Sequence, residues 1–81
     1  AGRPVRLRAK EFDLLMTLVE YKNIVLSREQ LLEQVWGFDF AGQTRTVDMH
    51  VAKLRKKIED PRAREPRFLI TVHRMGYKFT G

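Results

Sequence analysis

The chain is 81 residues long, carries a net charge of +6 and contains no cysteine. That length points to one small domain burying about 60–65% of its unfolded surface, and the absent cysteines exclude a disulfide framework and a cysteine zinc site. No apolar run approaches the roughly 18–20 residues of a membrane span and no signal peptide is visible, so a cytoplasmic protein is expected.

Pro4–Leu7 alternates weakly and is expected to be a short strand. A strand that opens the chain without a partner implies that it belongs to a larger unit. Glu11–Tyr21 places Phe12, Leu15, Met16 and Val19 at helical spacing, with Leu14 and Leu18 widening the face. This predicts an amphipathic helix lying on a core, with Asn23 as its stop. A second helix starts at Ser27, where Ser27 and Gln30 have the spacing of a capping box. Leu31, Leu32, Val35 and Trp36 form its apolar face, and Gly37 ends it. Phe38–Gln43 is then a loop with two aromatic residues.

Thr44 is placed to cap a third helix running to about Glu59. Val47, Val51, Leu54 and Ile58 recur at spacings that put them on one narrow stripe of that helix. Arg45, Asp48, Met49, Lys53 and Lys56 spread over the other side. Asp60–Pro66 carries two prolines and is a loop. Phe68–Val72 and Tyr77–Thr80 are expected to pair as a hairpin, turning through Arg74-Met75-Gly76 with Gly76 at positive φ. The charge follows this division. Residues 1–43 hold six Lys/Arg and six Asp/Glu, whereas residues 44–81 hold ten and four. The whole excess lies with the third helix and the hairpin, as in a binder of polyanions.

Enzymatic chemistry is not expected. His50 and His73 have no ligand-like neighbours, so no metal is expected, and no nucleophile–base pair or glycine-rich phosphate loop is present, so no cofactor is expected either. Three binding classes remain: double-stranded DNA, an acidic protein partner of a winged-helix interaction module, and an anionic membrane. The last is disfavoured because the apolar stripe of the third helix is narrow and is needed for the core.

The order of helices, basic helix and terminal hairpin is that of an α+β winged helix-turn-helix. The segments EFDLL (Glu11–Leu15), SREQLLEQVWG (Ser27–Gly37), RTVDMHVAKLRKKIE (Arg45–Glu59) and MGYKF (Met75–Phe79) together resemble the C-terminal DNA-binding, or effector, domain of OmpR/PhoB-type response regulators. The resemblance implies a two-component transcription regulator. A receiver domain, absent from these residues, would precede the effector and be phosphorylated by a sensor histidine kinase. A four-stranded N-terminal sheet, of which only Pro4–Leu7 is present, is also implied. The regulator would sit with bacterial DNA in the nucleoid and bind tandem half-sites as a homodimer. The third helix would enter the major groove and the hairpin wing, about residues 68–80, the minor groove.

Carried over by position, Arg45, His50 and Arg55 resemble phosphate contacts, while Asp48 and Lys53 resemble readers of base edges. Asp48 also has a second expected role, orienting a neighbouring arginine. His50 sits at the edge of the apolar stripe, where a half-buried structural role is equally open. Arg55 has an i,i+4 pair with Glu59 as its alternative. Thr46, Met49 and Lys56 complete the helix surface, Met49 and Ala52 favouring apolar contact with a thymine methyl. In the wing, Arg74 is expected in the minor groove with His73 beside it. Thr71 and Tyr77 offer hydroxyls to phosphates, with packing an equal account of the Tyr77 ring. The loop Gly37, Phe38, Asp39 and Phe40 is expected to meet RNA polymerase.

Overall fold

The computed structural model describes residues 6–40, apart from the Phe40 side chain, and residues 43–81. The elements are α1 (Ala9–Glu20), α2 (Arg28–Trp36), a 3-10 turn (Phe38–Phe40), α3 (Arg45–Ile58), β1 (Leu69–Val72) and β2 (Gly76–Phe79). Of the expected N-terminal strand, Pro4 and Val5 lie outside the described residues, and Arg6–Leu7 are not in a strand.

The helices pack around one cluster: Leu14 and Leu18 from α1, Leu31, Leu32 and Val35 from α2, and Val47, Val51 and Leu54 from α3. Leu26, Leu69 and Tyr77 close it from the hairpin side. A fully buried leucine or valine contributes about 1.5–3 kcal/mol. This cluster is therefore the main stabilising feature of a chain this small. The stripe expected on α3 is the buried one, with Ile58 packed at its edge.

The face expected on α1 is corrected. Phe12 and Met16 are 53% and 47% exposed, whereas Glu11, Leu14 and Leu18 are buried. Apolar residues lie on both sides of this helix, so periodicity alone cannot orient it. The Glu11 carboxylate chooses the side. It accepts from the Arg8 backbone N–H at 2.9 Å and from Lys57 Nζ of α3 at 2.5 Å. The hydrogen bond from Lys57, aided by that from Arg8, holds the Glu11 carboxyl below its ordinary pKa despite burial.

At α2, Ser27 and Gln30 exchange both hydrogen bonds of the capping box, at 3.0 and 2.8 Å. Gly37 ends the helix with φ 91°. Thr44 precedes α3 but its side chain makes no capping bond. The α1–α2 connection is more than a loop. Leu26 and Tyr77 exchange backbone bonds at 2.9 and 3.0 Å, and the Asn23 N–H donates to Phe79 O at 2.8 Å. Asn23, at φ 69°, sits just beyond the end of α1, and the segment after it lies along β2. Within the hairpin, Leu69 faces Phe79 and Thr71 faces Tyr77. Leu69 is its fully buried strand position; Phe68, Ile70 and Val72, on the other face, are only half-buried. The turn spans His73–Met75, and Arg74 adopts φ 64° in addition to Gly76 at 149°. A Cβ on Gly76 would lie 2.0 Å from Leu26 O, so glycine is required where β2 meets the α1–α2 segment.

Candidate nucleic-acid interface

One face of α3 carries cations that no other described element covers. Arg45, Met49, Ala52, Lys53 and Lys56 are exposed. Among the described residues, Arg45, Lys53 and Lys56 make no ion pair or side-chain hydrogen bond. Lys57, by contrast, is taken up by Glu11.

The flank facing the hairpin is arranged differently. Both Asp48 oxygens are occupied. Oδ1 accepts from Arg28 Nε at 3.0 Å and from the Tyr77 hydroxyl at 2.6 Å, and Oδ2 accepts from Arg28 Nη2. The geometry thus gives Asp48 the second of its expected roles, the orientation of an arginine. The hydrogen bonds to Asp48 raise the Arg28 pKa. Burial, then the Asp48 hydrogen bond and charge, push the Tyr77 phenol up to about 12. That hydroxyl is therefore a donor engaged inside the fold, and its ring is part of the core, which corrects the expectation of a free phosphate contact.

Arg55 is likewise committed. Nε and Nη2 donate to Leu69 O at 3.1 and 2.8 Å, and Nη2 also reaches Thr71 Oγ1 at 2.7 Å. The guanidinium lies 5.7 Å from the Tyr77 ring centroid. The alternative pair with Glu59 is not formed. Glu59 instead accepts from the backbone N–H groups of Arg67, Phe68 and Leu69 at 2.7–2.9 Å. It anchors the start of β1 to the end of α3.

On the other flank, His50 Nδ1 lies 2.9 Å from Thr46 O and must donate there, which leaves Nε2 of the neutral ring as an acceptor. Its ring meets Trp36 edge-on at 4.8 Å. Thr46 is half-buried, and Trp36 packs against the core. At the hairpin tip, His73 and Arg74 are both exposed, as is Thr71 on β1. In the 3-10 turn Phe38 is 78% exposed and Asp39 is exposed, while the Phe40 side chain lies outside the described residues.

The site therefore presents a helix with a free cationic face, fixed at one flank to a two-stranded wing. A family model described as "Transcriptional regulatory protein, C terminal" matches residues 2–79. The chain belongs to this family. The sensory transduction protein RegX3 of Mycolicibacterium smegmatis is 49% identical over 80 residues, covering 99% of this chain and 35% of RegX3. The chain thus spans about a third of the length of that curated relative. Among solved structures, the Thermotoga maritima response regulator DrrB, an OmpR/PhoB homolog, aligns with TM-score 0.85 at 40% identity, covering 99% of this chain and 36% of that one. The Klebsiella pneumoniae RstA DNA-binding domain, solved in complex with the RstA box, aligns with TM-score 0.84 at 34% identity, covering 98% and 77%. The fold of this transcriptional regulatory C-terminal domain is the winged helix-turn-helix, as its sequence resemblance implies, and its family is one of transcription regulators and not of enzymes.

Two residues of the interface carry no signal in the sequence. Arg28 lies 20 residues before its partner Asp48, beyond any helical spacing rule. Glu59 has the spacing of a partner for Arg55. No local pattern marks it as an acceptor for three backbone amides.

Proposed function

We propose that this chain binds double-stranded DNA sequence-specifically as the effector part of a two-component transcription regulator. The observation that carries the reading is a face of α3 without partners among the described residues, with Arg45, Lys53 and Lys56 outward beside a wing that is bonded to the same helix. A helix of this width fits the major groove, and Lys53 is the proposed reader of guanine O6 or N7. Arg45 and Lys56 are proposed to hold phosphates, which fix register but not sequence. Met49 and Ala52 offer apolar contact to thymine methyls. Arg74, with His73, is proposed to enter the adjacent minor groove.

In the longer protein a receiver domain and its sensor histidine kinase would control pairing of two copies on tandem half-sites. Phe38, with Gly37, Asp39 and Phe40, is proposed to meet RNA polymerase. No helix among the described residues is long and apolar enough to cross a membrane. A regulator that binds bacterial DNA in this way would act in the cytoplasm, at the nucleoid.

Selection from a random duplex pool at two salt concentrations tests the reading. Recovery of a motif, with affinity falling steeply as salt rises, is expected. Binding without any recovered motif would overturn it in favour of an acidic protein partner.

A further inference from the structure

A second group of cations gathers where the last turns of α3 meet the start of α1. Arg8, Lys53, Lys56 and Lys57 line a pocket of about 310 Å³, and Glu11 is the one carboxylate among its lining residues. Glu11 is buried, and its Oε1 already accepts from Lys57 Nζ and from the Arg8 backbone N–H. It balances Lys57 from beneath. Four cations against one carboxylate leave a surplus of three positive charges in the lining.

The fold does not need this surplus. Lys57 alone pairs with Glu11, whereas Arg8, Lys53 and Lys56 make no ion pair among the described residues. Lys53 lies three residues from Lys56 and four from Lys57 on α3, spacings at which like charges repel. Arg8, brought to the same pocket from another part of the chain, adds to that repulsion. An anion bridging the four relieves it. The Lys57 side chain is 33% exposed and uses one of its N–H donors on Glu11, so it too is able to reach a ligand. The concentration of charge indicates the ligand chemistry. Phosphates of a duplex each carry a single charge and are spread along the strand. A surplus of three in one pocket suits a compact anion with its charges on adjacent phosphoryl groups. Ammonium point charges and a guanidinium fork are the donors that hold such oxygens. Lys53 and Lys56 also belong to the open face of α3, so an occupant of the pocket and a duplex would draw on the same two side chains.

We propose that this pocket binds a diphosphate group, free or as part of a nucleotide, and that its occupant competes with DNA for Lys53 and Lys56. The competition rests on the DNA-binding reading above; binding in the pocket does not. Calorimetric titration of the protein with inorganic pyrophosphate, at fixed ionic strength in a phosphate-free buffer, tests the pocket. Saturable one-to-one binding is expected, with orthophosphate at least about tenfold weaker. Arg8→Gln should weaken pyrophosphate by about tenfold and leave affinity for the selected duplex within about threefold. If Arg8→Gln does not fold, Arg8→Lys serves in its place, keeping the charge but losing the fork, and should still bind pyrophosphate more weakly than wild type. ADP identifies the source: affinity equal to that of pyrophosphate extends the pocket to nucleotides, and binding of pyrophosphate alone assigns it to the free anion. In a second arm, pyrophosphate is added to the complex of the protein with its selected duplex. It should release DNA well beyond a sodium chloride control of equal ionic strength, and Arg8→Gln should resist that release. Absence of saturation, orthophosphate binding as tight as pyrophosphate, or equal binding by wild type and a folded Arg8 variant overturns the pocket. Release no greater than the control overturns the competition. Failure of the wild type to select any motif overturns the DNA-binding reading and the competition with it, while the pyrophosphate titration still decides the pocket.

Discussion

The two flanks of α3 carry similar residues in different states. Toward the wing, Asp48 is held by Arg28 and Tyr77, and Arg55 is bonded to Leu69 and Thr71. Toward solvent, Arg45, Lys53 and Lys56 meet no partner among the described residues. Both sets lie on one helix, and an arginine occurs in each, Arg55 and Arg45; what differs for these two is the element packed alongside. Polar groups next to the hairpin keep the wing at a set angle to the helix. Polar groups away from it are left to meet a polyanion. Substitutions of Arg55 and Tyr77 on the first flank should therefore act on stability, and those on the second flank on binding and its salt dependence.

The most severe break should come where β2 presses on the α1–α2 segment. Gly76→Ala puts a Cβ into Leu26 O and keeps a φ that alanine resists. A drop of about 3 kcal/mol or more is expected in urea unfolding. A midpoint like that of the wild type would mean that the close approach of Leu26 to Gly76 is not present in solution.

Next in size is Lys57→Ala, which leaves the Glu11 carboxylate buried, 2% exposed, without its cation. Removing one partner of a buried pair costs about 3–5 kcal/mol, and the exposure of Lys57 reduces that to about 2–3 kcal/mol. The pH dependence has a definite sign. The Glu11 pKa is lowered on folding from an ordinary value near 4.5. Its contribution is thus present above about pH 4.5 and lost as pH falls through the lower folded value. The gap between wild type and variant should be wide at pH 7 and should shrink as pH falls below about 4.5. A gap independent of pH would show that the ion pair does not stabilise the fold.

Tyr77→Phe is a smaller test of the wing-side flank. The hydrogen bond it removes, to a half-exposed carboxylate, is worth about 1 kcal/mol. Tyr77 titrates at about 12, above its ordinary 10.0, so its contribution is complete below pH 10 and declines as pH rises through about 12. Alkaline unfolding of the wild type should therefore approach that of Tyr77→Phe over this window. Parallel curves would show that the hydroxyl is solvated.

The legible parts of the molecule are those governed by local chemistry. Ser27 and Gln30 announce a capping box because both hydrogen bonds run between residues three apart, and Gly37 and Gly76 announce backbone that other residues resist. The α3 stripe is legible because Val47, Val51, Leu54 and Ile58 share one side of that helix, and Met49 is the lone large apolar residue opposite them. The buried face of α1 is not legible, because Phe12 and Met16 compete with Leu14 and Leu18 and the choice is made by a charge on another helix. The same limit applies at the interface. The exposed state of Arg45 and Lys53 follows from the helix wheel. The engagement of Asp48 and Arg55 does not, because their partners, Arg28, Leu69 and Thr71, are brought to them only by the packed fold.

The smallest change in stability should give the clearest division between the flanks. Arg45 is exposed at the first turn of α3 and has no side-chain partner among the described residues, so Arg45→Ala should leave the unfolding midpoint within about 0.5 kcal/mol of wild type. Its effect on binding has a different signature. Taking a phosphate-binding cation off the free face should weaken selected and shuffled duplexes alike and flatten the salt slope by about one. Arg55→Gln should do the converse, lowering stability through the bonds to Leu69 and Thr71 and altering the slope only as far as the wing is displaced. If the two variants exchange these signatures, the charge on α3 is not divided by its packing, and the solvent-facing cations serve the fold as much as the wing-facing ones do.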